Sequence, residues 1–480
     1  MKFPLFLSFF STGAAFAALP AVGPDYRRPD VSAPAAYRDA GDAALWKTAA
    51  PADTLARGEW WRRFGDPALD GLEARALAAN QDLRSAAARV AQAMASAGIA
   101  RSAYWPQVAA NPSFTREQTS TTVSNPLPQP LGDGYRAPLV ASWELDLFGR
   151  VRRLGEGARA EADAAAASFE SFRLALTSEV AADYFSLRAL GREAAILAEN
   201  VDLRRRALDL IRSRLTAGAA TELDLARAEA DLATTEADAA ELAGRRAALQ
   251  NALAVLVGEN ASTFSLEDSP VHAVPLAVPA GLPSELLERR PDVAAAERAL
   301  AAANARIGVA QAAFFPAISL TGSAGFASED SDRLFQHDSR LWSIGPALYL
   351  PVFQGGRNRA NLARSRAAYD ESVAAYRQSL LVAFREVQDA LTATRLLADQ
   401  AAAQDRAAAA AERAAQLART RYDAGYVSYL EVLDAQRTAL SARRTSTQLT
   451  AQRLNTSVAL IKALGGGWHT PPAGPALAQR

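Results

Sequence analysis

The sequence predicts a mainly α-helical chain with four interspersed β-strands, built as an internal duplication. Three observations predict it. The chain repeats itself: Arg214-Leu-Thr-Ala-Gly218-Ala-Ala-Thr-Glu-Leu-Asp224 is echoed by Arg421-Tyr-Asp-Ala-Gly425-Tyr-Val-Ser-Tyr-Leu-Glu431. Gly98-Ile-Ala-Arg-Ser-Ala-Tyr-Trp-Pro106 is likewise echoed by Gly308-Val-Ala-Gln-Ala-Ala-Phe-Phe-Pro316. Echoes this far apart mean a duplicated architecture, not a short-period solenoid. Two stretches, 152–215 and 357–422, contain no Pro and are rich in Ala, Glu, Arg and Leu. Between the helical runs lie short segments in which apolar and polar residues alternate, the period-two signature of a strand.

Taken in order, Lys2 precedes an almost wholly apolar run from Phe3 to Phe10, and Ala15-Phe-Ala17 has the small-x-small pattern of a cleavage site. Residues 1–17 are expected to be a signal peptide cut after Ala17, followed by an extended segment over 18–65. The first repeat is placed at 66–260. It opens with a helical run over 67–102. A strand follows at about 105–116, with Val108, Ala110, Pro112 and Phe114 on one face. A second strand runs over about 136–148, with Leu139, Ala141, Trp143, Leu145 and Leu147 on one face. Then comes the first long helix. Leu187, Leu190, Ala194, Leu197 and Val201 step by three and four, and Leu208, Ile211 and Leu215 resume that phase after Arg204 interrupts it. This is a coiled-coil-like seam. Roughly 63 residues at 1.5 Å each make about 95 Å of helix. A turn at Gly218 leads to a helix over 223–257 and a linker at 261–282.

The second repeat, 283–467, has the same order. A helix over 283–313 leads to strands at about 315–328 and 340–352, the long helix 357–422, a turn at Gly425 and a helix over 429–464. Residues 468–480 form a tail. Pro106 and Pro316 stop the helices before the first strand of each pair, because Pro disfavours helix at the preceding residue. The abundant Ala lets helix axes approach closely on more than one side, which suits a closed palisade of helices and any Ala-rich bundle alike.

The 480 residues carry 52 Lys plus Arg against 52 Asp plus Glu, so the net charge is zero and no basic bias points to nucleic acid. No Cys is present. His272, His337 and His469 are scattered without ligand spacing, and no phosphate-binding glycine loop or nucleophile–base arrangement is found, so neither a metal site nor a cofactor nor enzyme activity is expected. Apart from the leader, no stretch approaches the ~18 apolar residues of a spanning helix. A membrane crossing would use the strands. Their nine to eleven residues suffice for a tilted transmembrane strand, and Tyr104, Trp105, Phe314, Phe315, Phe148, Trp342 and Phe353 cluster at their ends. A half-buried soluble sheet would show the same alternation. Four strands cannot close a barrel, and lipid tolerates no open edge, so the membrane reading requires an oligomer; three copies give twelve strands.

The motifs Gly23-Pro-Asp-Tyr-Arg-Arg-Pro29, Trp60-Trp-Arg-Arg-Phe-Gly-Asp-Pro67, Leu286-Leu-Glu-Arg-Arg-Pro-Asp292, Ala313-Phe-Phe-Pro-Ala-Ile-Ser319, Pro351-Val-Phe-Gln-Gly-Gly-Arg357 and Leu430-Glu-Val-Leu-Asp-Ala-Gln436 occur in one order along residues 22–467. In this the chain resembles the TolC-like outer-membrane efflux factors, nearest the branch serving resistance-nodulation-division pumps. The resemblance implies a homotrimer in the outer-membrane lipid of a Gram-negative cell. A twelve-stranded barrel would continue into a long antiparallel coiled-coil barrel in the periplasm. It implies a passive exit duct for drugs or other small toxic compounds, docked to a periplasmic adaptor and an inner-membrane pump. The alternative readings are an outer-membrane duct of the same kind for type I secretion of polypeptides or for metal efflux, and, from another class, a pore-free periplasmic coiled-coil structural protein.

The resemblance places a periplasmic gate at Asp224, Tyr422, Glu431 and Asp434. It makes Arg214, Gly218, Arg421 and Gly425 the tip turns and adaptor contacts. Val427 stands where some members carry a latching arginine, so the closed state needs another fastening. Pro20 stands where relatives with this start carry a lipid-bearing Cys, so anchoring is expected to rest on the barrel. The acids at the tip also fit ordinary helix starts, where the helix dipole favours negative charge.

Overall fold

The computed structural model describes residues 21–30, 58–120, 122, 131–267 and 290–466. The expected signal peptide 1–17, most of the segment 18–65, most of the linker 261–282 and the tail 468–480 lie outside the described residues. The elements are α1 (Pro67–Ala79), α2 (Gln81–Ser102), β1 (Gln107–Ala110), β2 (Ser113–Gln118), β3 (Leu131–Leu145), α3 (Arg150–Thr216), α4 (Glu222–Leu256), α5 (Pro291–Ala312), β4 (Ala317–Ser328), β5 (Arg340–Tyr349), α6 (Arg357–Asp423) and α7 (Tyr429–Ala463). The duplication is visible in the helix lengths: α2 and α5 have 22 residues each, α3 and α6 have 67, and α4 and α7 have 35.

The chain divides into two compact units, and α3 and α6 contribute residues to both. One unit holds the sheet, residues 21–30 and the adjoining helix segments. In it the strands run from Gln107 rather than from the aromatic pair Tyr104-Trp105, which forms the turn after α2. The first strand is broken at Asn111-Pro112 into β1 and β2, because Pro lacks the amide a ladder needs. Both pieces pair antiparallel with β3, which starts at Leu131, ahead of the strand start expected at about 136. β3 pairs with β4 and β4 with β5, so the sheet has four ladder positions.

The register sorts the side chains. Residues directly opposite in an antiparallel pair share a face. One face carries Val108, Leu139, Ala141, Trp143, Ile318, Leu320, Ala324, Trp342, Ile344 and Leu348; the other carries Gln107, Ser142, Glu144, Ser319, Thr321, Ser323 and Ser343. The apolar face is uncovered in the single chain: Trp342 is 78%, Ile344 70%, Leu348 67%, Val108 66% and Leu139 55% exposed. On the polar face Ser323 Oγ and Ser343 Oγ share a hydrogen bond of 2.9 Å, and Thr321 Oγ1 donates to Gly345 O at 3.2 Å.

Residues 21–30 lie as a strap in the same unit. Val22 N donates to Phe148 O at 2.9 Å, Asn304 Nδ2 to Pro24 O at 2.9 Å, and the buried Arg153 to Asp25 Oδ1 at 2.7 Å. Arg28 bridges Glu297 (3.2 Å) and the Tyr376 hydroxyl (3.1 Å). A side chain at Gly23 would place its Cβ 2.5 Å from Gly308 Cα, so the strap's close approach to α5 needs both glycines.

The other unit has its core where the tryptophan motif meets the helices. Trp60 packs edge-on against Trp61 and Phe64, and Phe64 against Phe185, beside Leu69, Leu72, Leu253, Val257, Leu454 and Val458. Asp66 caps α1 by accepting from Ala68 N (3.0 Å) and Leu69 N (3.4 Å), with Pro67 at the first helical position. Its second oxygen accepts from the Tyr184 hydroxyl at 2.6 Å. Arg290 ties Asp292 and Glu386 together, each at 2.6 Å, and donates to Ala463 O at 3.1 Å. Glu73 is fully buried on α1. Burial, with the nearby Asp70 charge second, pushes its carboxyl up to about 9, and neither of its oxygens has a hydrogen-bond partner.

Candidate functional site

The two Ala-Gly echoes become the turns that end α3 and α6. Gly218 and Gly425 have φ of +73° and +77°, left-handed backbone that disfavours any side chain. In each turn the residue after the glycine donates back to an arginine carbonyl: Ala219 N to Arg214 O at 2.7 Å, and Tyr426 N to Arg421 O at 2.8 Å. The glycine amides donate to Leu215 O (2.9 Å) and Tyr422 O (3.0 Å). These paired bonds satisfy the last carbonyls of the helices in the Schellman manner.

The helices that follow start differently. Thr221 caps α4 through a capping box: its hydroxyl accepts from Asp224 N at 3.2 Å, and the Asp224 carboxylate accepts from Thr221 N at 3.1 Å and from the hydroxyl at 2.7 Å. In α7 the cap, Ser428, makes no side-chain hydrogen bond. Glu431 holds the position equivalent to Asp224, and its carboxylate is exposed, as is Asp434 one turn on. The second-repeat acids are therefore presented to solvent, whereas the first-repeat acid is engaged in starting its own helix.

Tyr422 lies on Tyr429, ring centroids 5.7 Å apart, and the Arg214 guanidinium sits over the Tyr422 ring at 4.6 Å. The first-repeat turn thus grips the second through a cation–π contact. Tyr429 anchors this arrangement in a small core with Ala207, Leu208, Ile211, Ala228, Val432 and Leu433, and burial raises its hydroxyl pKa. Val427 is half-buried. Arg421 is exposed.

Farther along the same helices lies a charged ladder that the motif reading missed. Asp231 on α4 is buried between Arg204 of α3, with which it forms an ion pair, and Arg437 of α7, whose Nε is 2.8 Å away. Seven residues on, Arg444 of α7 donates to Asp238 (3.2 Å) and to the buried Glu193 of α3 (2.7 Å). Burial lowers the pKa of Arg204, and the charge of Arg437 lowers it further. Arg204, Asp231, Asp238, Arg437 and Arg444 line a polar cleft of about 400 Å³ together with Thr234, Thr235, Ser441 and Thr445. The signal in the sequence was Arg204 itself, a charge standing in the apolar seam.

Among the described residues no group of three or more His, Cys, Asp or Glu is placed to hold a metal, and no helix is long and apolar enough to cross a membrane.

Residues 72–259 and 282–466 match the family model described as outer membrane efflux protein. The solvent efflux pump outer membrane protein SrpC of Pseudomonas putida is 38% identical over 456 residues, 93% of this chain and 95% of that protein. The cation efflux system protein CusC of Escherichia coli is 34% identical over 93% of this chain and 96% of its own length. The solved structure of the outer-membrane channel OprN superposes with a TM-score of 0.85 at 33% identity, covering 93% of this chain and 99% of OprN. The chain belongs to the outer membrane efflux protein family, and its place is the outer membrane of a Gram-negative cell.

Proposed function

We propose that three copies of this chain close into one passive exit duct, which conducts small toxic compounds handed on by a periplasmic adaptor and an inner-membrane pump. The observation that carries this reading is the sheet. It presents one apolar face to its surroundings, and among the described residues its outer strands, β1 with β2 on one side and β5 on the other, have no strand paired to their outer edge. An open edge in hydrocarbon leaves backbone groups unpaired at several kcal/mol each. Pairing β5 of one copy with the β1–β2 edge of the next removes every edge, and three copies give a twelve-stranded barrel. Its apolar face meets lipid and its Ser/Thr face lines the lumen.

The turns that end α3 and α6 supply the gate. Three copies of Glu431 and Asp434 around an axis form rings of negative charge, which favour cations and repel themselves as the pore narrows. Tyr422, held by Tyr429 and Arg214, fastens the second-repeat turn in place, and Asp224 contributes by fixing the start of α4. Arg421 and the two turns are the surface offered to the adaptor. Cargo is set by the pump: the relatives named above are called a solvent and a cation efflux protein, although each matches this chain over nearly its whole length. The test is separation of the cell envelope by density, followed by mass determination of the protein extracted in mild detergent. Recovery with outer membrane as a species of three chains supports the reading; a soluble periplasmic monomer overturns it.

A further inference from the structure

The apolar face of the sheet is not apolar throughout. Among its described residues it carries three charged side chains, Arg116, Asp133 and Arg340, all toward the hairpin ends of the strands. At the helix end the same face holds Trp143, Leu145, Ile318, Leu320 and Leu348, without a charge.

The duplication sorts these charges. Arg116 lies ten residues after Pro106, and Phe326 lies ten after Pro316. Their cross-strand partners are Asp133 and Arg340. In the first hairpin Arg116 Nε is 3.6 Å from Asp133 Oδ1, so the charges answer each other within the strand pair. In the second hairpin the quasi-equivalent pair is an aromatic ring opposite a guanidinium. Arg340 is exposed and, among the described residues, makes no ion pair. Three acids of the adjoining loop are engaged with other partners: Asp330 with Arg333 (3.7 Å), Asp332 with Ser331 Oγ (3.2 Å) and Asp338 with His337 (3.4 Å).

Aromatic rings gather at this end of the face. Phe335 packs edge-on against Phe326, centroids 5.4 Å apart, and the rings of Phe114 and Tyr135 lie 4.8 Å apart. Trp342 is the next residue after Arg340 on that face. Such rings belong at the headgroup level of a bilayer. An arginine on a lipid face is costly at the midplane and tolerated near the headgroups, where its fork can reach a phosphate.

We propose that Arg340, with Phe326 opposite and Trp342 beside it, is a phosphate-binding site for the glycolipid of the outer leaflet, the lipid A of lipopolysaccharide. The planar guanidinium donates two parallel hydrogen bonds to one phosphate, and the neighbouring rings pack on the acyl chains below it. Arg116, already answered by Asp133, adds little. This rests on the trimeric-duct reading, which turns the apolar face to lipid and the hairpin ends outward, and adds which lipid that face selects.

The test uses full-length protein extracted from outer membrane as the three-chain species and stripped of lipid. Binding of lipid A, in its diphosphoryl form or after removal of its phosphates, is read by native mass spectrometry. The native protein is expected to bind the diphosphoryl form about tenfold more tightly, or better, the worth of a charge-assisted hydrogen-bonded contact. Arg340→Gln should lose that preference, and Arg136→Gln, on the polar face, should keep it. Equal binding of the two lipids by the native protein overturns the inference and needs no variant. So does a preference retained in Arg340→Gln, or phosphatidylglycerol binding as tightly as diphosphoryl lipid A. Recovery of the three-chain species without the lipid preference overturns this inference alone; absence of that species overturns the duct reading and this inference with it.

Discussion

At the residue scale, two carboxylates at equivalent places have different tasks. Asp224 completes a capping box, whereas Glu431 follows a cap whose side chain makes no bond. Asp224→Ala is expected to cost about 1 kcal/mol, as capping losses do, and to speed amide exchange in the first turn of α4. Glu431→Ala changes exchange at the start of α7 less. Equal effects at both sites would contradict the assignment. The sequence shows both acids at one spacing after a glycine, but a hydroxyl residue precedes each of them too. Only the geometry reveals which hydroxyl turns back to its amide. Arg214→Ala removes the guanidinium from the Tyr422 ring, a loss of about 0.5–2 kcal/mol. It should raise the closed-state leak of the reconstituted channel, and an unaltered leak would remove Arg214 from the fastening.

Glu73 belongs to the same scale. Its carboxyl is pushed from an ordinary 4.5 up to about 9, so the folded chain holds a proton that the unfolded chain releases. Such a group supports the fold fully below about 4.5, and that support falls as pH rises toward about 9. Melting temperature should therefore decline with pH across this window. Glu73→Gln, neutral throughout, should flatten the profile and melt higher than the native protein at alkaline pH. A native profile with no decline would contradict the buried, unpaired carboxyl.

At the scale of elements, the apolar sheet face makes the sharpest claim. Leu348 and Ile344 stand on it, 67% and 70% exposed in the single chain. An arginine at such a position costs about 2–4 kcal/mol in the middle of a bilayer. Ile344→Arg should therefore reduce the amount of assembled outer-membrane protein, while Ser343→Arg, on the other face, should be tolerated. Equal tolerance would mean that the face does not meet lipid. Alternation along 318–326 and 139–147 made these strands legible, because period two survives any environment that distinguishes the faces. The break at Asn111-Pro112 and the extension of β3 back to Leu131 were not legible. They depend on which backbone groups find partners across the ladder, and the Gly132-Asp-Gly134 stretch reads as loop until β2 pairs with it. The long helices were readable almost to their ends, since Pro-free Ala-rich runs stop only where glycine permits a left-handed turn.

At the scale of the whole molecule, duplication supplies the frame, and the proposed gate draws on its imperfections. Equal helix lengths in the two halves give the helices of both repeats matching register, so three chains can form a ring with nearly equivalent helix positions. Departures from equivalence mark the turns and the helix starts beyond them: Tyr422, Glu431 and Asp434 stand where the other half has Leu215, Asp224 and Arg227. The ladder of Arg204, Asp231 and Arg437 was not readable as a ladder, because its members lie on three helices and only Arg204 disturbs a visible pattern. The central claim is a trimeric duct closed by rings of second-repeat acids. Single-channel recording of the purified protein in planar bilayers, with a trivalent cation added from the side of the helix-end turns, tests it most directly. The account predicts discrete conductance steps blocked by the cation, with higher conductance and weakened block in the Glu431→Ala, Asp434→Ala double variant. Absence of conductance, or block and conductance unchanged in the variant, would contradict it.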